Sequence, residues 1–290
     1  MWATMTQCTD RCKRHISFPE TLDELFEQQQ QHQGAHLMAG GTDLLVALRH
    51  GPQDKRTIIC LERIAELRRI DELDDGSVSI GATATFSTIA RNTLLQERYP
   101  LLTQAAATVG GPAIRNMASI GGNIVTASPA ADSLPALYLL DAQLELRSAT
   151  GRRTVAIDEF ISGPRRTLLQ PGEIISRIIL PPASDWYIQR FEKVGRRKSL
   201  AIAVASLAAL LRLTADGTVT EARFAWGSVG PTVVRCPEAE QALIGKSLTE
   251  ENLTAAALLA QQAVQPIDDI RASAEYRRTV AGNLLLRLVV

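Results

Sequence analysis

Ala39-Gly40-Gly41-Thr42-Asp43-Leu44-Leu45 and, about eighty residues later, Ala118-Ser119-Ile120-Gly121-Gly122-Asn123-Ile124 decide how this chain is read. Glycine reaches positive φ without a Cβ penalty and lets a ligand come close to main-chain N–H groups, so two such loops together suit a pyrophosphate. They suggest a dinucleotide site. For the first loop alone the alternative is a plain strand-turn-helix corner. Neither loop has the Rossmann G-x-G-x-x-G spacing, and no acidic residue closes a following strand as that fingerprint requires.

The flanking residues place the loops. Pro19 to Gln31 reads as a helix opened by Ser17 or Pro19, with Leu22, Leu25 and Phe26 on one face, and Gly34 beyond its end. His36 to Ala39 is a short apolar strand that stops at the first glycine pair, and Thr42 or Asp43 then caps a helix running through Leu48 to Gly51. The first N–H groups of a helix lack internal partners and carry the positive end of its dipole, so this corner favours a phosphate oxygen without any lysine.

Strands are expected at Thr57 to Leu61 and Ser77 to Ala82, with a turn at Asp74-Asp75-Gly76, and helices at Thr85 to Asn92 and Leu101 to Val109. Gly110-Gly111-Pro112 ends the last of these. Ile114 to Pro129 is rich in small and hydroxyl residues, with too little apolar periodicity for a surface helix, and reads as backbone exposed to a ligand. There Gly121 and Gly122 offer N–H groups, Ser119 and Thr42 hydroxyls, and Asn123 an amide. Asp132 either accepts from ribose hydroxyls or caps the apolar helix Ala136 to Leu140. Ala142 to Arg147 and Arg153 to Ile157 alternate around Thr150-Gly151 as a hairpin.

Composition narrows the class. The chain has 290 residues, 46% of them hydrophobic, enough for two domains with real cores. Its 31 basic and 31 acidic residues cancel and are scattered, which argues against nucleic acid; the run Arg196-Arg197-Lys198 reads as a solvated face. No apolar stretch reaches the roughly 18 residues of a membrane span, and Met1 to Arg14 has no apolar signal core, so cytoplasm is the expected location. Cys8, Cys12, Cys60 and Cys236 are too dispersed for an iron–sulfur ligand set or a disulfide framework. Cys8 and Cys12 with His15 lie in a polar leader, residues 1–15, expected to be flexible. Neither they nor the other histidines have metal-site spacing, so no metal ligand is expected. No nucleophile elbow occurs, and no catalytic side chain is assigned.

At these residues the chain resembles the FAD-binding subunits of the molybdenum hydroxylases, the family of xanthine dehydrogenase and of the medium subunit of aerobic CO dehydrogenase. The resemblance runs from Phe18 to about Leu286. It includes Phe18-Pro19 with Leu22, both glycine loops, Ile114-Arg115-Asn116, Pro129 with Asp132, and Gly172-Glu173-Ile174-Ile175. Farther on it includes Phe191-Glu192-Lys193-Val194-Gly195-Arg196-Arg197, Pro231 with Arg235, and Ala274-Glu275-Tyr276-Arg277-Arg278.

That resemblance implies an α+β chain: a two-lobed FAD-binding domain of the vanillyl-alcohol oxidase (PCMH) type over 16–181, then a smaller α+β domain over 186–290 like the C-terminal domain of CO dehydrogenase flavoprotein. The linker Pro181-Pro182-Ala183-Ser184-Asp185 marks the same break. Past it, Trp186 to Val194, Ala201 to Leu213 and Ala222 to Ser228 read as strands, and Pro237 to Leu243, Thr249 to Gln262 and Ser273 to Leu288 as helices.

Carried over by position, Leu37, Met38, Ala39, Gly40, Gly41, Thr42, Asp43 and Leu44, with Ser119, Ile120, Gly121, Gly122 and Asn123, would hold the FAD pyrophosphate and adjoining groups. Asp132 would lie near the nucleotide. Ile175 and Lys193 would lie near the isoalloxazine; the residues alone also allow Ile175 as part of a buried strand from Ile174 to Leu180 and Lys193 as a surface side chain. The resemblance further implies a heteromer. A molybdopterin-binding large subunit would hydroxylate xanthine or another purine, and an iron–sulfur small subunit with 2Fe-2S clusters would feed electrons to this FAD, which would pass them to NAD. The alternatives are the medium subunit of a CO, aldehyde or aromatic-heterocycle dehydrogenase, or a non-catalytic FAD-binding assembly protein.

Overall fold

A computed structural model describes residues 15–50, 56–197 and 200–289. Cys8, Cys12, Gly51 and Lys198 lie outside the described residues. The first lobe is a parallel sheet of β1 (Ile16–Ser17), β2 (His36–Met38) and β3 (Ile58–Cys60) in the order β1-β3-β2, with α1 (Leu22–Gln31) before β2 and α2 (Leu44–His50) after it. Leu22, Leu25 and Phe26 of α1 pack with Ile59, Ile64 and Leu67. The helix starts later than Ser17 or Pro19, because Thr21 is its N-cap: the Thr21 hydroxyl accepts the Glu24 N–H at 3.2 Å, and the Glu24 carboxylate reaches back to the Glu20 N–H at 2.8 Å.

The second lobe carries α3 (Phe86–Arg91), α4 (Thr93–Arg98), α5 (Pro100–Thr108), α6 (Pro112–Arg115), α7 (Ile120–Thr126), α8 (Ser133–Leu139) and α9 (Ile157–Phe160). Its strands are β4 (Ile70–Glu72), β5 (Val78–Gly81), β6 (Gln143–Ser148), β7 (Gly151–Ala156), the short ribbon β8 (Ile161–Gly163) with β9 (Arg166–Thr167), and β10 (Ile174–Leu180). The main sheet is antiparallel in the order β4-β5-β10-β6-β7.

After the proline pair at 181–182 comes a four-stranded antiparallel sheet, β11 (Ile188–Gly195), β12 (Ala203–Leu213), β13 (Val219–Gly227) and β14 (Val234–Arg235), followed by α10 (Pro237–Gln241), α11 (Glu250–Ala263) and α12 (Ala274–Asn283). The period of two along a strand explains the unbroken apolar run of β12. Leu207, Ala209 and Leu211 face the C-terminal helices, whereas Ala208 and Leu210 join the core of the second lobe with Phe191 and Ala225. The two units therefore share one buried layer. Among the described residues no helix is long and apolar enough to cross a membrane.

One element departs from the sequence expectation. Ile114 to Pro129 is largely helical: α6 and α7 replace the exposed loop, and the second glycine pair falls in the first turn of α7. Tertiary contact overrides the poor helix propensity of Gly-Gly-Asn. A Cβ on Gly121 would stand 2.7 Å from the Ala82 Cβ and 2.8 Å from its carbonyl oxygen, so glycine is what allows α7 to press onto the chain beyond β5. Bonds from Phe86 N–H to Ala118 O and from Ile120 N–H to Ala84 O fix the same approach.

Candidate functional site

A cleft of about 1060 Å³ opens between the lobes and the C-terminal sheet. One wall is the stretch Leu37 to Leu44, another is α7 with the turn that follows it, and the third comes from the C-terminal unit, including Ile202, Ser228, Asp269, Arg271 and Arg277. The volume suits a long ligand.

The two glycine segments meet. Gly40 lies flat on the Met117–Ala118 peptide, and Thr126 Oγ1 donates to Asp43 Oδ2 at 3.2 Å. Gly41 has φ +68°, the left-handed turn that ends β2 and starts α2. Among the described residues the N–H groups of Gly40, Gly41, Thr42 and Asp43 make no hydrogen bond, although these residues line the cleft. Such unpaired donors in a row form an anion-binding concavity.

The second segment is arranged differently. The N–H of Gly121 is given to Ala82 O at 2.8 Å, and that of Gly122 to the capping Ser119 Oγ at 3.2 Å. The expectation that both N–H groups stand open to a phosphate is thereby corrected. Ser119, Gly122 and Asn123 still line the cleft, while Ile120 and Gly121 are buried behind it. Asn123 Oδ1 accepts from Ser133 Oγ at 2.7 Å, which leaves the amide NH₂ as its free end.

Asp132, Ile175 and Lys193 do not reach the cleft wall. Asp132 occupies the N-cap position of α8 but makes no capping bond. Its carboxylate instead accepts from Lys193 Nζ at 2.5 Å, across the junction between the second lobe and the C-terminal sheet, and Lys193 also donates to Thr108 O. Burial pushes the Asp132 carboxyl up to about 6, against the pull of Lys193. Lys193 is therefore no surface side chain, with its own side chain 11% exposed. Ile175 is buried in β10, paired with Leu146.

The C-terminal wall was missed by sequence reading. Arg277, 3% exposed, donates to Val204 O, Ser228 O and Asp269 Oδ1. Against the upward push of desolvation, the Arg271 N–H and the guanidinium groups of Arg277 and Arg271 hold the Asp269 carboxyl at about 2. The signal lay in the helix pattern: Arg277 sits four residues before the buried Ala281, in the apolar stripe of α12.

Residues 11–183 match the family of the FAD binding domain in molybdopterin dehydrogenase, and residues 190–290 match the CO dehydrogenase flavoprotein C-terminal domain. The xanthine dehydrogenase FAD-binding subunit of Escherichia coli O157:H7 is 35% identical over 256 residues, 88% of this chain and 87% of that one. The nicotinate dehydrogenase FAD-subunit of Eubacterium barkeri is 30% identical over 277 residues, 94% of this chain and 93% of that one. Among solved structures, the carbon monoxide dehydrogenase of Hydrogenophaga pseudoflava superposes with a TM-score of 0.88 at 32% identity, covering 95% of this chain and 96% of its counterpart. With both domains matched across nearly its whole length, the chain belongs to the FAD-binding medium subunits of the molybdenum hydroxylases, which are oxidoreductase subunits of heteromeric complexes.

Proposed function

We propose that this chain is the flavin-bearing electron-transfer subunit of a xanthine or purine dehydrogenase, receiving electrons from iron–sulfur clusters of a small subunit and passing them to NAD. The molybdenum cofactor and the hydroxylation chemistry belong to a large subunit. The observation that carries the flavin assignment is the row of unpaired N–H groups from Gly40 to Asp43 at the edge of a cleft large enough for a dinucleotide. These residues fit FAD: the N–H row takes the pyrophosphate, Ser119 and Asn123 offer further donors, and the absence of a side chain on Gly40 lets this loop lie against the Met117 carbonyl beside the second segment. When bound, FAD supplies the ability to exchange electrons singly or in pairs.

The chain's own residues bind and shield. The apolar side chains of Leu37, Met38, Val109, Ile114 and Ile202 line the cleft and exclude water from a planar ring system. Arg165, Arg271 and Arg277 against Asp43 and Asp269 leave one net positive charge along the walls, which favours the phosphates. Identity of 35% to a xanthine dehydrogenase subunit is in keeping with the purine reading but does not single it out, since a carbon monoxide dehydrogenase medium chain is 34% identical and a nicotinate dehydrogenase FAD-subunit 30%.

The test is to purify the tagged protein with its partners, record the flavin spectrum, and assay turnover. Hypoxanthine oxidation coupled to NAD⁺ reduction is expected. Turnover of nicotinate, CO or an aldehyde with no purine activity would replace the purine assignment, and a chain that binds flavin yet exchanges no electrons would point to an assembly protein.

A further inference from the structure

The outer face of α2 is apolar and uncovered. Its run Leu44-Leu45-Val46-Ala47-Leu48 suits a core, since a helix that is apolar all round is ordinarily buried. Leu44 and Ala47 line the cleft, but Leu45 and Val46 lie outside it and are 47% and 56% exposed. Met117, 51% exposed and also outside the cleft wall, continues this surface across the junction of the two glycine segments. Gly40 lies on the Met117 carbonyl, and a Cβ on Gly41 would stand 3.0 Å from Leu45 Cδ1, so the two residues flank one glycine pair. Ile114 and Val125, both exposed, carry the patch to the cleft mouth. Large apolar side chains gathered in this way mark an interaction site.

We infer that the outer face of α2, together with Met117, is the docking surface of the iron–sulfur subunit. This rests on the reading of the chain as a flavin subunit fed by such a partner. FAD in the cleft leaves Leu45, Val46 and Met117 bare, because they lie outside its walls. The chain belongs to a family of subunits of heteromeric complexes, so another protein is at hand to cover them.

Position selects which partner. α2 has the cleft on one side and the apolar face on the other, and a helix with its side chains is about 10–12 Å across. A protein seated on Leu45 and Val46 therefore brings an electron carrier close to the cleft. A hydroxylating subunit needs no such closeness, because the clusters carry its electrons. Composition and charge agree with this choice. Arg49 follows Leu45 and Val46 by four and three residues on the same exposed face, and Arg91 stands beside Met117, with its Nη2 3.5 Å from Asn116 Oδ1. Residues 44–50 and 114–125 contain no lysine, aspartate or glutamate. Methionine and arginine are enriched in interfaces, whereas lysine and the acids are depleted. Guanidinium groups beside an apolar patch also complement a partner whose cluster is held by cysteine thiolates, which bring negative charge.

A photo-reactive side chain identifies the partner. Val46→p-benzoylphenylalanine is introduced into the purified complex, which is then irradiated; the position is exposed, so the core is undisturbed. Covalent linkage of this chain to the iron–sulfur subunit is expected. Linkage to the molybdopterin subunit or to a second copy of this chain, or no linkage at all, overturns the inference. In a second measurement, Val46→Asp is expected to keep its flavin and to hold about tenfold less iron–sulfur subunit than wild type. Leu258→Asp, at an exposed leucine of α11 in the C-terminal unit, is the control and is expected to hold the wild-type amount. Full retention by Val46→Asp, or the same loss in both variants, would count against the docking face. If the complex carries no flavin and Val46 still links to the iron–sulfur subunit, the docking surface stands and it is the reading of the cleft that fails.

Discussion

Gly40 rests against the carbonyl oxygen of Met117 so closely that a Cβ there would stand 1.6 Å from that oxygen and 2.3 Å from its carbon. The two glycine segments are thus in backbone contact, and their junction forms the floor of the proposed pyrophosphate site. Neither peptide can yield without parting the lobes. Gly40→Ala is expected to lose FAD and to destabilise the chain by more than about 3 kcal/mol, measured by flavin content and denaturant unfolding.

Gly41→Ala is the contrasting variant. Its strain is the positive φ, about 1 kcal/mol, and its new Cβ meets the Leu45 Cδ1 and Met38 Sδ atoms at 3.0 and 3.1 Å, ends of side chains that can turn aside. The variant is expected to fold with a small loss of stability and weakened FAD binding. A Gly41→Ala protein less stable than Gly40→Ala would contradict the assignment of backbone contact to position 40.

In α7 the same logic separates neighbours. Ser119→Ala removes the cap from the Gly122 N–H and is expected to cost about 1 kcal/mol. Gly121→Ala drives a methyl into Ala82 and is expected to cost at least twice as much, despite alanine's better helix propensity. Unfolding midpoints of the two variants decide it. Equal midpoints would mean that α7 shifts off the Ala82 segment at little cost.

The first loop was legible because local signals agreed: an apolar strand, a glycine pair, then a helix. The helix at Ile120 to Thr126 was not, since its reason lies in Ala82, nearly forty residues away in sequence. A signal was present in Ile120, Ile124 and Ala127, all buried at helical spacing, but three residues among glycines and hydroxyls are weak evidence. The N-cap at Thr21 was readable, as Thr21-Leu22-Asp23-Glu24 has the sequence of a capping box, although the Glu24 carboxylate takes the N–H of Glu20 rather than that of Thr21. Asp132 had a local role open to it as the cap of its own helix, and its actual partner, Lys193, comes from a strand 61 residues on. The proline linker marks a change of sheet without separating the cores, because alternate residues of β12 face opposite layers. Long-range pairing decides each of these, and periodicity carries no record of it.

The Asp132–Lys193 pair predicts a pH dependence. The folded-state pKa of Asp132 lies at about 6, raised by burial above its ordinary 3.8, so the folded chain binds more protons than the unfolded chain between those values. Its contribution to stability is therefore greatest at acid pH, declines as pH rises from about 4, and levels off above about 6. Asp132→Asn removes the titration while keeping an oxygen for Lys193. The stability of wild type relative to Asp132→Asn should fall by on the order of 3 kcal/mol across that window. Denaturant unfolding of both proteins from pH 4 to pH 7.5 measures it, and parallel profiles would show that Asp132 ionises as an ordinary carboxylate. Lys193→Ala strands the carboxylate without its partner and is expected to cost about 3 to 5 kcal/mol at pH 7. Part of that loss should return on acidification, as Asp132 takes up the proton that replaces Lys193.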